Sequence, residues 1–310
     1  MKDKASISFL DDSTESVTEL ERTIAAKKVF NANRKKLQER RRNQLYKYRP
    51  VTRESIEFLL NRELWAAKPV TFNDPFDAQV NYNALVTQTL NHFKRNTENI
   101  RKELLAHINS FTSKVGICSL SRTNKNQLMW SHYADEHRGF CIGLDINNLL
   151  DDTLLKNKVN YQAKLPIDKL LNTLTIISDS WLYIDNKVNM TLLKDIFENF
   201  ITEEILVTKH SNWQYENETR IIAPNYGSIP FKCSQVMSIT FGLKMPDRDK
   251  KIVRQVIKGL HYENVEWYQA TKDRNNYSIE LKLLNPEAKR RKAKLSFQQQ
   301  LTKTYVSRKP

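Results

Sequence analysis

Glycine is scarce in this chain, with only 6 glycines among 310 residues. Glycine-rich loops occur where backbone N–H groups must approach a phosphate closely, and the sequence contains neither GxGxxG nor GxxxxGK[ST]. It also contains no GxSxG nucleophile elbow. These absences exclude the phosphate loops of dinucleotide-binding and P-loop proteins, and they exclude the nucleophile turn of α/β-hydrolases.

Cysteine and histidine are scarce too, at 3 and 6 residues. No CxxC, HExxH or HxE…CxxC spacing is present, so the sequence predicts no metal site. Three cysteines cannot all pair with one another, and each lies in an apolar context, so we expect a reduced, cytoplasmic chain. No segment approaches the roughly 18 apolar residues of a membrane span, and the acidic first residues do not resemble a secretory signal. We therefore expect no membrane partner.

Positive charge is abundant but unevenly placed. The formal net charge is +15. Arg22–Arg42 holds nine Lys/Arg against one acid, and Pro286–Pro310 holds eight against one. We therefore divide the chain into a basic helical extension (1–43), a nearly neutral α+β domain (44–285) and a basic tail (286–310).

The basic ends are candidates for holding a phosphate backbone through counterion release. The nucleic-acid-binding residues that this hypothesis names are Arg40, Arg41, Arg42, Lys289, Arg290, Arg291 and Lys292. The alternative is a solvated helix and a frayed tail, because charge runs are often only that.

The stretch Val115–Asp145 organises the central domain. Two apolar runs predict buried strands on either side of an aromatic, histidine-containing segment. The first, Val115–Leu120, contains β-branched residues, and the second is Phe140–Leu144. Further strands are predicted at Leu45–Tyr48, Leu64–Ala67, Ser238–Gly242, Val265–Gln269 and Ile279–Leu284. Apolar residues at helical spacing predict helices after Thr52 and at Arg248–Leu260, and a helical insertion at about 151–208. The fold class expected is α+β, with a mixed or antiparallel sheet.

Two segments carry unusual polar residues. The turn Phe72–Asp77, with the sequence FNDPFD, could hold a cation or a ribose hydroxyl, or could simply be structural. If Trp213–Ile222 is a strand, Glu216, Glu218 and Arg220 share one face of it. Three ionisable groups on one face are costly unless they are paired or functional, so Arg220 could neutralise one glutamate and leave the other for chemistry. The alternative is an exposed, salt-bridged strand face.

The order of motifs resembles a widespread bacterial family known as a domain of unknown function, found among other places near mobile elements and defence genes. The motifs are LYKYR, FNDPFD, CSLS with LMWSHYADEHRGFCIGLD, WQYENETRI and a late FGL, and they extend over Leu45–Leu284. The two basic ends lie outside this resemblance. The resemblance to this family implies no particular activity.

A second resemblance, to the ADP-ribosyltransferase fold, does imply an activity. That fold places an arginine or histidine on its first strand, Ser-x-Ser on a middle strand and Glu-x-Glu on a later strand. The residues that match this order here are Arg49, Ser119, Ser121, Glu216 and Glu218. The sequence departs from the pattern in Tyr48-Arg49-Pro50, which lacks the usual small residues, and in its central Leu120.

The resemblance implies a role for each of these residues. Arg49 would clamp the pyrophosphate of NAD. Glu218 would stabilise positive charge at the anomeric carbon while nicotinamide leaves, and Glu216 would orient the acceptor. The remaining cofactor-binding candidates would order or stack on the nicotinamide pocket. They are Ser119, Ser121, Trp130, His132 and Tyr133.

These observations lead to one function and one rival. The first is a cytoplasmic bacterial effector enzyme with an ADP-ribosyltransferase-like, NAD-cleaving site, in anti-phage defence or a toxin-like role. In this case Glu218→Gln should abolish cleavage and leave the thermal midpoint nearly unchanged. The rival is a nucleic-acid-binding or nuclease-like defence protein without NAD chemistry, whose glutamates are metal ligands or structural.

Overall fold

The computed structural model describes residues 28–29, 31–32, 35–92, 98–148, 153–176, 183–184, 187–262 and 265–284. The chain divides into two units, Gln44–Lys282 and a unit made of Met1–Asn43 with Leu283–Pro310. In the second unit, residues 35–42 are helical, which includes Arg40, Arg41 and Arg42. Most of the predicted N-terminal helix, and the tail with Lys289, Arg290, Arg291 and Lys292, lie outside the described residues.

Strands and helices alternate irregularly along the described chain. The strands are β1 (Leu45–Arg49), β2 (Glu63–Ala66), β3 (Gly116–Ser121), β4 (Phe140–Leu144), β5 (Leu155–Lys158), β6 (Asn160–Gln162), β7 (Tyr183–Ile184), β8 (Lys187–Val188), β9 (Thr208–His210), β10 (Glu218–Ala223), β11 (Gly227–Pro230), β12 (Val236–Phe241), β13 (Glu266–Lys272) and β14 (Ile279–Leu284). The α-helices of the unit Gln44–Lys282 are α1 (Arg53–Asn61), α2 (Tyr82–His92), α3 (Glu98–Lys114), α4 (Gln127–Tyr133), α5 (Ile167–Ile176), α6 (Met190–Phe200) and α7 (Asp247–Gly259).

Eight strands form one sheet in the order β14-β13-β12-β4-β1-β3-β10-β5. The sheet is mixed, because β12 and β13 pair in parallel while β1, β3, β4, β10 and β5 pair antiparallel to their neighbours. A parallel pair needs a crossover connection, and α7 supplies it between β12 and β13. The α+β class predicted from the sequence is confirmed, and of the two sheet types left open, mixed or antiparallel, the sheet is mixed.

The sheet opens between β1 and β3. Strand β1 pairs with β4 over five positions, from Leu45↔Leu144 to Arg49↔Phe140. With β3 it pairs only at Tyr46↔Ser121. The side chain of Lys47 reaches across, and its Nζ donates to the backbone oxygen of Ser119 at 2.9 Å. The two strands therefore diverge beyond that one pair, and a cleft lies between them.

The helices that precede and follow the central strands share one apolar cluster. Leu104 and Ile108 of α3, Leu170 of α5 and Phe197 of α6 are completely buried in it. The predicted helical insertion thus contains α5 and α6, which the structure interrupts with short strands between residues 151 and 208. Within the described ranges, no helix has both the length and the apolar composition needed to cross a bilayer.

Local sequence explains where α1 starts and stops. The side chain of Thr52 accepts a hydrogen bond from the backbone N–H of Ser55, as a Ser/Thr N-cap should. At the other end Arg62 adopts the left-handed conformation, with φ of 59°, and its N–H returns to the oxygen of Phe58. Helix α1 follows Pro50 closely, so it begins beside the end of β1, where Arg49 lies.

Candidate active site

A cavity of about 370 Å³ occupies the cleft between β1 and β3. This volume lies within the range of small-molecule binding sites. All four residues Tyr46–Arg49 line it, although alternate residues of a strand within a closed sheet face opposite sides. Residues from both faces of β1 can border the cavity because β1 pairs with β3 at only one position, which leaves that edge of the strand open. The other lining residues are Pro50, Phe72, Asn73, Asp77, Ser119, Leu120, Ser121, Met129, His132, Tyr133, Lys209, Glu216 and Glu218.

The structure corrects the prediction of a strand over Trp213–Ile222. Ser211–Glu216 is a 3-10 helix, and β10 begins only at Glu218. Between them Asn217 adopts a left-handed conformation with φ of 48°, which asparagine tolerates better than most residues. Glu216 and Glu218 therefore reach the same cavity through a turn, and not because they are neighbours on one strand face.

Ser121 holds that turn in place. Its buried hydroxyl donates to the backbone oxygen of Glu216 at 2.7 Å. Asn126 adds a second tie, since its side-chain amide donates to the oxygen of Tyr215 at 2.9 Å. The end of β3 and the loop after it thus position the carboxylate of Glu216, and Ser121 has an ordering role in the site.

Arg220 is the centre of a buried ionic network. It is 0% exposed, and its Nη2 donates to both carboxylate oxygens of Asp77 at 2.7 Å. Its Nε donates to Glu218 Oε1 at 2.9 Å, and its Nη1 to the backbone oxygen of Leu206 at 2.6 Å. The nearby Lys209 Nζ lies 3.2 Å from Asp77 and 3.6 Å from Glu218. Asp77, predicted to be in a turn that could hold a cation, in fact pairs with these two.

Glu216 differs from Glu218 in its surroundings. It accepts a hydrogen bond from the hydroxyl of Tyr133 at 2.5 Å and another from Lys209 Nζ at 2.6 Å. Burial raises its pKa above the ordinary value, despite the attraction of Lys209 and the bond from Tyr133, and the negative charge of Glu218 acts in the same direction as burial. Glu216 is thus the carboxylate that is easier to protonate.

Glu218 has the opposite shift. Burial alone would raise its pKa, but the charges of Arg220 and Lys209 outweigh burial and lower the pKa to about 2, helped by a hydrogen bond with the Ser119 side chain. The two glutamates therefore have pKa values that their environments move in opposite directions. Such separation is typical of sites where one carboxylate stays ionised and the other exchanges a proton.

The low pKa of Glu218 predicts acid sensitivity of the fold. A carboxylate with a depressed folded-state pKa stabilises the protein above its unfolded pKa, and this stability is lost as the pH falls towards the folded value. For a fall from 4.5 to about 2, the contribution is about 3 kcal/mol. Urea unfolding at several pH values between 5 and 2 should show this loss. Glu216, with its raised pKa, contributes a change of opposite sign.

The matched variants are Glu218→Gln and Glu57→Gln. Glu218→Gln should flatten the dependence of the unfolding free energy on pH in this range, whereas Glu57→Gln, on the exposed face of α1, should keep it. A Glu218→Gln variant with the same acid dependence as the unmodified protein would contradict the assignment of the low pKa to this residue.

Arg49 contributes positive charge to the cavity from the end of β1. Its guanidinium lies over the Phe58 ring, 5.0 Å from the centroid. Its Nε is buried and has no hydrogen-bond partner among the described residues. An arginine with a buried donor that no described residue accepts is suited to an anionic group of a ligand.

Of the other predicted cofactor-binding residues, four line the cavity and one does not. Ser119, Ser121, His132 and Tyr133 line the cavity. Trp130 does not: it is fully buried in a second core cluster, where its Nε1 donates to the oxygen of Asn124 at 2.9 Å. The prediction of Trp130 as a ring-stacking residue is therefore wrong. A seven-residue helix has only about two turns, so its sequence pattern does not separate a tryptophan that faces the core from one that faces a cavity.

Sequence reasoning missed two cationic residues of the cavity, Lys47 and Lys209. Both lysines are in β-strands, where an inward-facing lysine has no pattern that separates it from a solvated one. Burial lowers the pKa of Lys47, and neighbouring Arg49 lowers it further, although Cys118 opposes this. For Lys209 the carboxylates outweigh burial, and the pKa is raised. In the described part of the chain, no three His, Cys, Asp or Glu side chains are grouped as metal ligands.

Fold and site together define an α+β protein with a cavity in a split mixed sheet, and the walls of the cavity carry three carboxylates and three cationic residues. Residues 129–221 match a family described as Protein of unknown function (DUF2971). This match contains Tyr133, Lys209 and both glutamates, and it lies inside the segment whose motifs resemble a family of unknown function. Searches of curated proteins and of solved structures find no match.

Proposed function

We propose that the protein cleaves NAD at this cavity and transfers ADP-ribose, in the manner of an ADP-ribosyltransferase. One observation carries the proposal. The arginine, the two serines and the two glutamates named by the resemblance come from different parts of the chain, and all five line one cavity. They lie on β1, on β3, on β10 and in the turn before it, and these three strands are neighbours in the sheet.

Glu218 is suited to the bond-breaking step. In that step the bond between C1″ of the ribose and the nicotinamide nitrogen breaks, and nicotinamide leaves with the bonding electrons. Positive charge then develops on the ribose. A carboxylate that stays ionised at neutral pH stabilises this charge, and the pKa of Glu218, about 2, keeps it ionised.

Glu216 is suited to the transfer step. The acceptor's nucleophilic atom forms a new bond to C1″ and must lose its proton. A carboxylate whose pKa burial has raised is a better proton acceptor near neutral pH than one with an ordinary pKa. The hydroxyl of Tyr133 and the amine of Lys209 hold its two oxygens, so its direction is fixed before the acceptor arrives.

Arg49 is suited to the pyrophosphate. The cavity also contains Lys47, so two cationic side chains of β1 are available for the two negative charges of a dinucleotide's pyrophosphate. An arginine forms paired hydrogen bonds to such a group, whereas a lysine provides a point charge. The ring of Tyr133 or His132 would then face the nicotinamide.

The test is release of nicotinamide from NAD by the purified protein. We expect release with water or a macromolecule as acceptor, and we expect Arg49→Ala to raise KM for NAD by roughly tenfold or more, because a hydrogen-bonded charge pair is lost. Arg53→Ala is the matched control, since Arg53 lies four residues away, is 85% exposed and pairs with Glu57. Equal KM values for the two variants would remove Arg49 from the site.

The cellular role that we propose is that of a cytoplasmic bacterial effector, in anti-phage defence or as a toxin-like protein. The rival function is a nucleic-acid-binding or nuclease-like defence protein without NAD chemistry. One observation favours the rival: Arg220 and Lys209 engage Asp77 and Glu218 so fully that these carboxylates could serve only the fold. The nicotinamide assay distinguishes the two, because the rival predicts no release with any acceptor.

A further inference from the structure

A second, larger groove lies at the β14 end of the sheet and has a volume of about 1120 Å³. Its walls come from the loop between β13 and β14, from the segment after β12, from the start of α4 and from α7. The proposed NAD site does not use it. The residues of the groove are Gln127, His137, Leu243, Lys244, Lys250, Gln269, Ala270, Thr271 and the whole of 272–279.

The groove is basic. Lys244, Lys272 and Arg274 are exposed in it, and Lys250 lines it as well. The one acid of its wall, Asp273, is already engaged, since it accepts hydrogen bonds from the backbone N–H groups of Asn275 and Asn276. The central domain has a low net charge, but here its cations are gathered on one surface.

The same basic surface continues along α7. Lys250 also lines an adjoining depression of about 380 Å³, whose other cations are Lys251, Arg254 and Lys258. Lys250 itself pairs with Asp247 at 3.1 Å, which reduces but does not reverse the positive charge there. Apart from Lys250, six Lys/Arg residues form one basic track from α7 into the groove. They are Lys251, Arg254 and Lys258 on α7, and Lys244, Lys272 and Arg274 in the groove.

An aromatic side chain stands in this track. Tyr277 is completely exposed, at 102%, in the loop between β13 and β14. The loop is nonetheless ordered, because Asp273 caps it, the N–H of Asp273 donates to the oxygen of Ser278, and the side chain of Gln127 donates to the backbone oxygen of Tyr277. A tyrosine ring held in solvent between basic residues is available for stacking.

We propose that this groove binds a single strand of nucleic acid. Cations that follow a groove and an exposed aromatic ring are the two features by which proteins bind single strands, since the first tracks the phosphates and the second stacks a base. A duplex keeps its bases stacked on one another and leaves none for Tyr277. An acidic polypeptide would use the cations but has no need of the ring.

The groove also suggests the acceptor of the transfer reaction, an extension that rests on the proposed function. Helix α4 carries Gln127 in the groove at one end and Tyr133 in the cavity at the other. Six residues of α-helix separate them by about 9 Å. A nucleophilic oxygen or nitrogen of the bound strand could then bond to C1″ of the ribose and pass its proton to Glu216 while nicotinamide departs.

Fluorescence anisotropy with labelled single-stranded and duplex oligonucleotides tests the binding. We expect the full chain to bind the single strand, and Tyr277→Ala to weaken that binding roughly tenfold, because one stacked base is lost. Tyr277→Phe should keep the affinity. Trp65→Ala is the control, since Trp65 is an exposed aromatic residue, 56% exposed, on β2. A Tyr277→Ala variant that binds like Trp65→Ala would overturn the proposal.

Salt titration tests the cations. Lys272→Gln with Arg274→Gln should reduce the log–log slope of affinity against salt by about 1.4, since each phosphate contact on a single strand contributes about 0.7. Lys158→Gln with Lys164→Gln removes the same charge near β5, at the opposite end of the sheet. Equal slopes for the two double variants would overturn the proposal. Binding of polyglutamate that depends on the cations and is independent of Tyr277 would assign the groove to an acidic protein instead.

Transfer to the oligonucleotide tests the extension separately. Tyr277→Ala should lower labelling of the oligonucleotide about as much as it lowers binding, and should leave nicotinamide release to water unchanged. Release without any labelling would overturn nucleic acid as the acceptor and leave the binding groove supported. Absence of release with every acceptor would overturn the proposed function, and the binding data would still decide the groove.

Discussion

Replacing Arg220 with methionine is expected to lower the free energy of unfolding by about 3–5 kcal/mol. Methionine keeps an unbranched apolar side chain as far as the position of Nε but leaves Asp77 and Glu218 buried without the cation that pairs with both. Removing one partner of a buried ionic network costs more than the network contributes, because the remaining charges stay desolvated. Since natural domains have only about 5–15 kcal/mol of stability, this one change could remove most of it.

Urea unfolding measures this loss of stability, and two further variants test its explanation. Arg138→Met removes an exposed arginine that pairs with Glu136, and should change stability by less than about 1 kcal/mol. Asp77→Asn combined with Arg220→Met should be less destabilised than the sum of the single variants, since one of the unpaired charges is then gone. Additive losses would show that Asp77 and Arg220 do not act as one unit.

Glu216→Gln is expected to lower kcat for NAD cleavage and transfer to an acceptor by roughly 10²–10⁴-fold. The glutamine can still accept from Tyr133 and lie near Lys209, but it cannot take a proton. Because Glu216 is not bonded to Arg220, because burial disfavours its charge, and because Lys209 keeps Asp77 and Glu218 as partners, the thermal midpoint should fall less than in Glu218→Gln. Kinetics with a macromolecular acceptor and thermal unfolding of the same preparations would measure both quantities.

Glu218→Gln should behave differently. The sequence alone led us to expect loss of cleavage with a nearly unchanged thermal midpoint, but the buried pair with Arg220 leads us to expect a lower midpoint as well. Neutralising Glu218 leaves Arg220 with one carboxylate fewer, so this variant should lose both activity and stability. A Glu216→Gln variant with full activity would exclude proton transfer by Glu216, and a Glu218→Gln variant with full activity would exclude charge stabilisation by Glu218.

The two carboxylates also show how one buried network can serve fold and chemistry together. Asp77, Glu216 and Glu218 lie beside Lys209 and Arg220, which balance two of the three negative charges. The third charge is the one that burial disfavours, on Glu216. A protonatable group at the edge of a fixed ionic network is what proton transfer requires, and it is also the group whose loss disturbs the fold least.

The sequence by itself determined the elements whose patterns are local. Phe140–Leu144 and Ile279–Leu284 were predicted as strands with the bounds that the structure has, since a buried apolar run between turn residues has few other solutions. The helix after Thr52 was predicted as well, because the cap at its start depends on residues only three positions apart. The scarcity of glycine excluded phosphate loops without any need for coordinates.

Only the tertiary structure decided which polar residues meet. The cleft exists because β1 and β3 share a single pair, and strand divergence leaves no mark in the sequence of either strand. Glu216 and Glu218 reach the cavity through the left-handed turn at Asn217, while a strand was predicted there. Trp130 is in the core and Lys209 in the cavity, because side-chain environment depends on what packs from elsewhere in the chain. The sequence of a strand does not specify which strands and side chains pack against it.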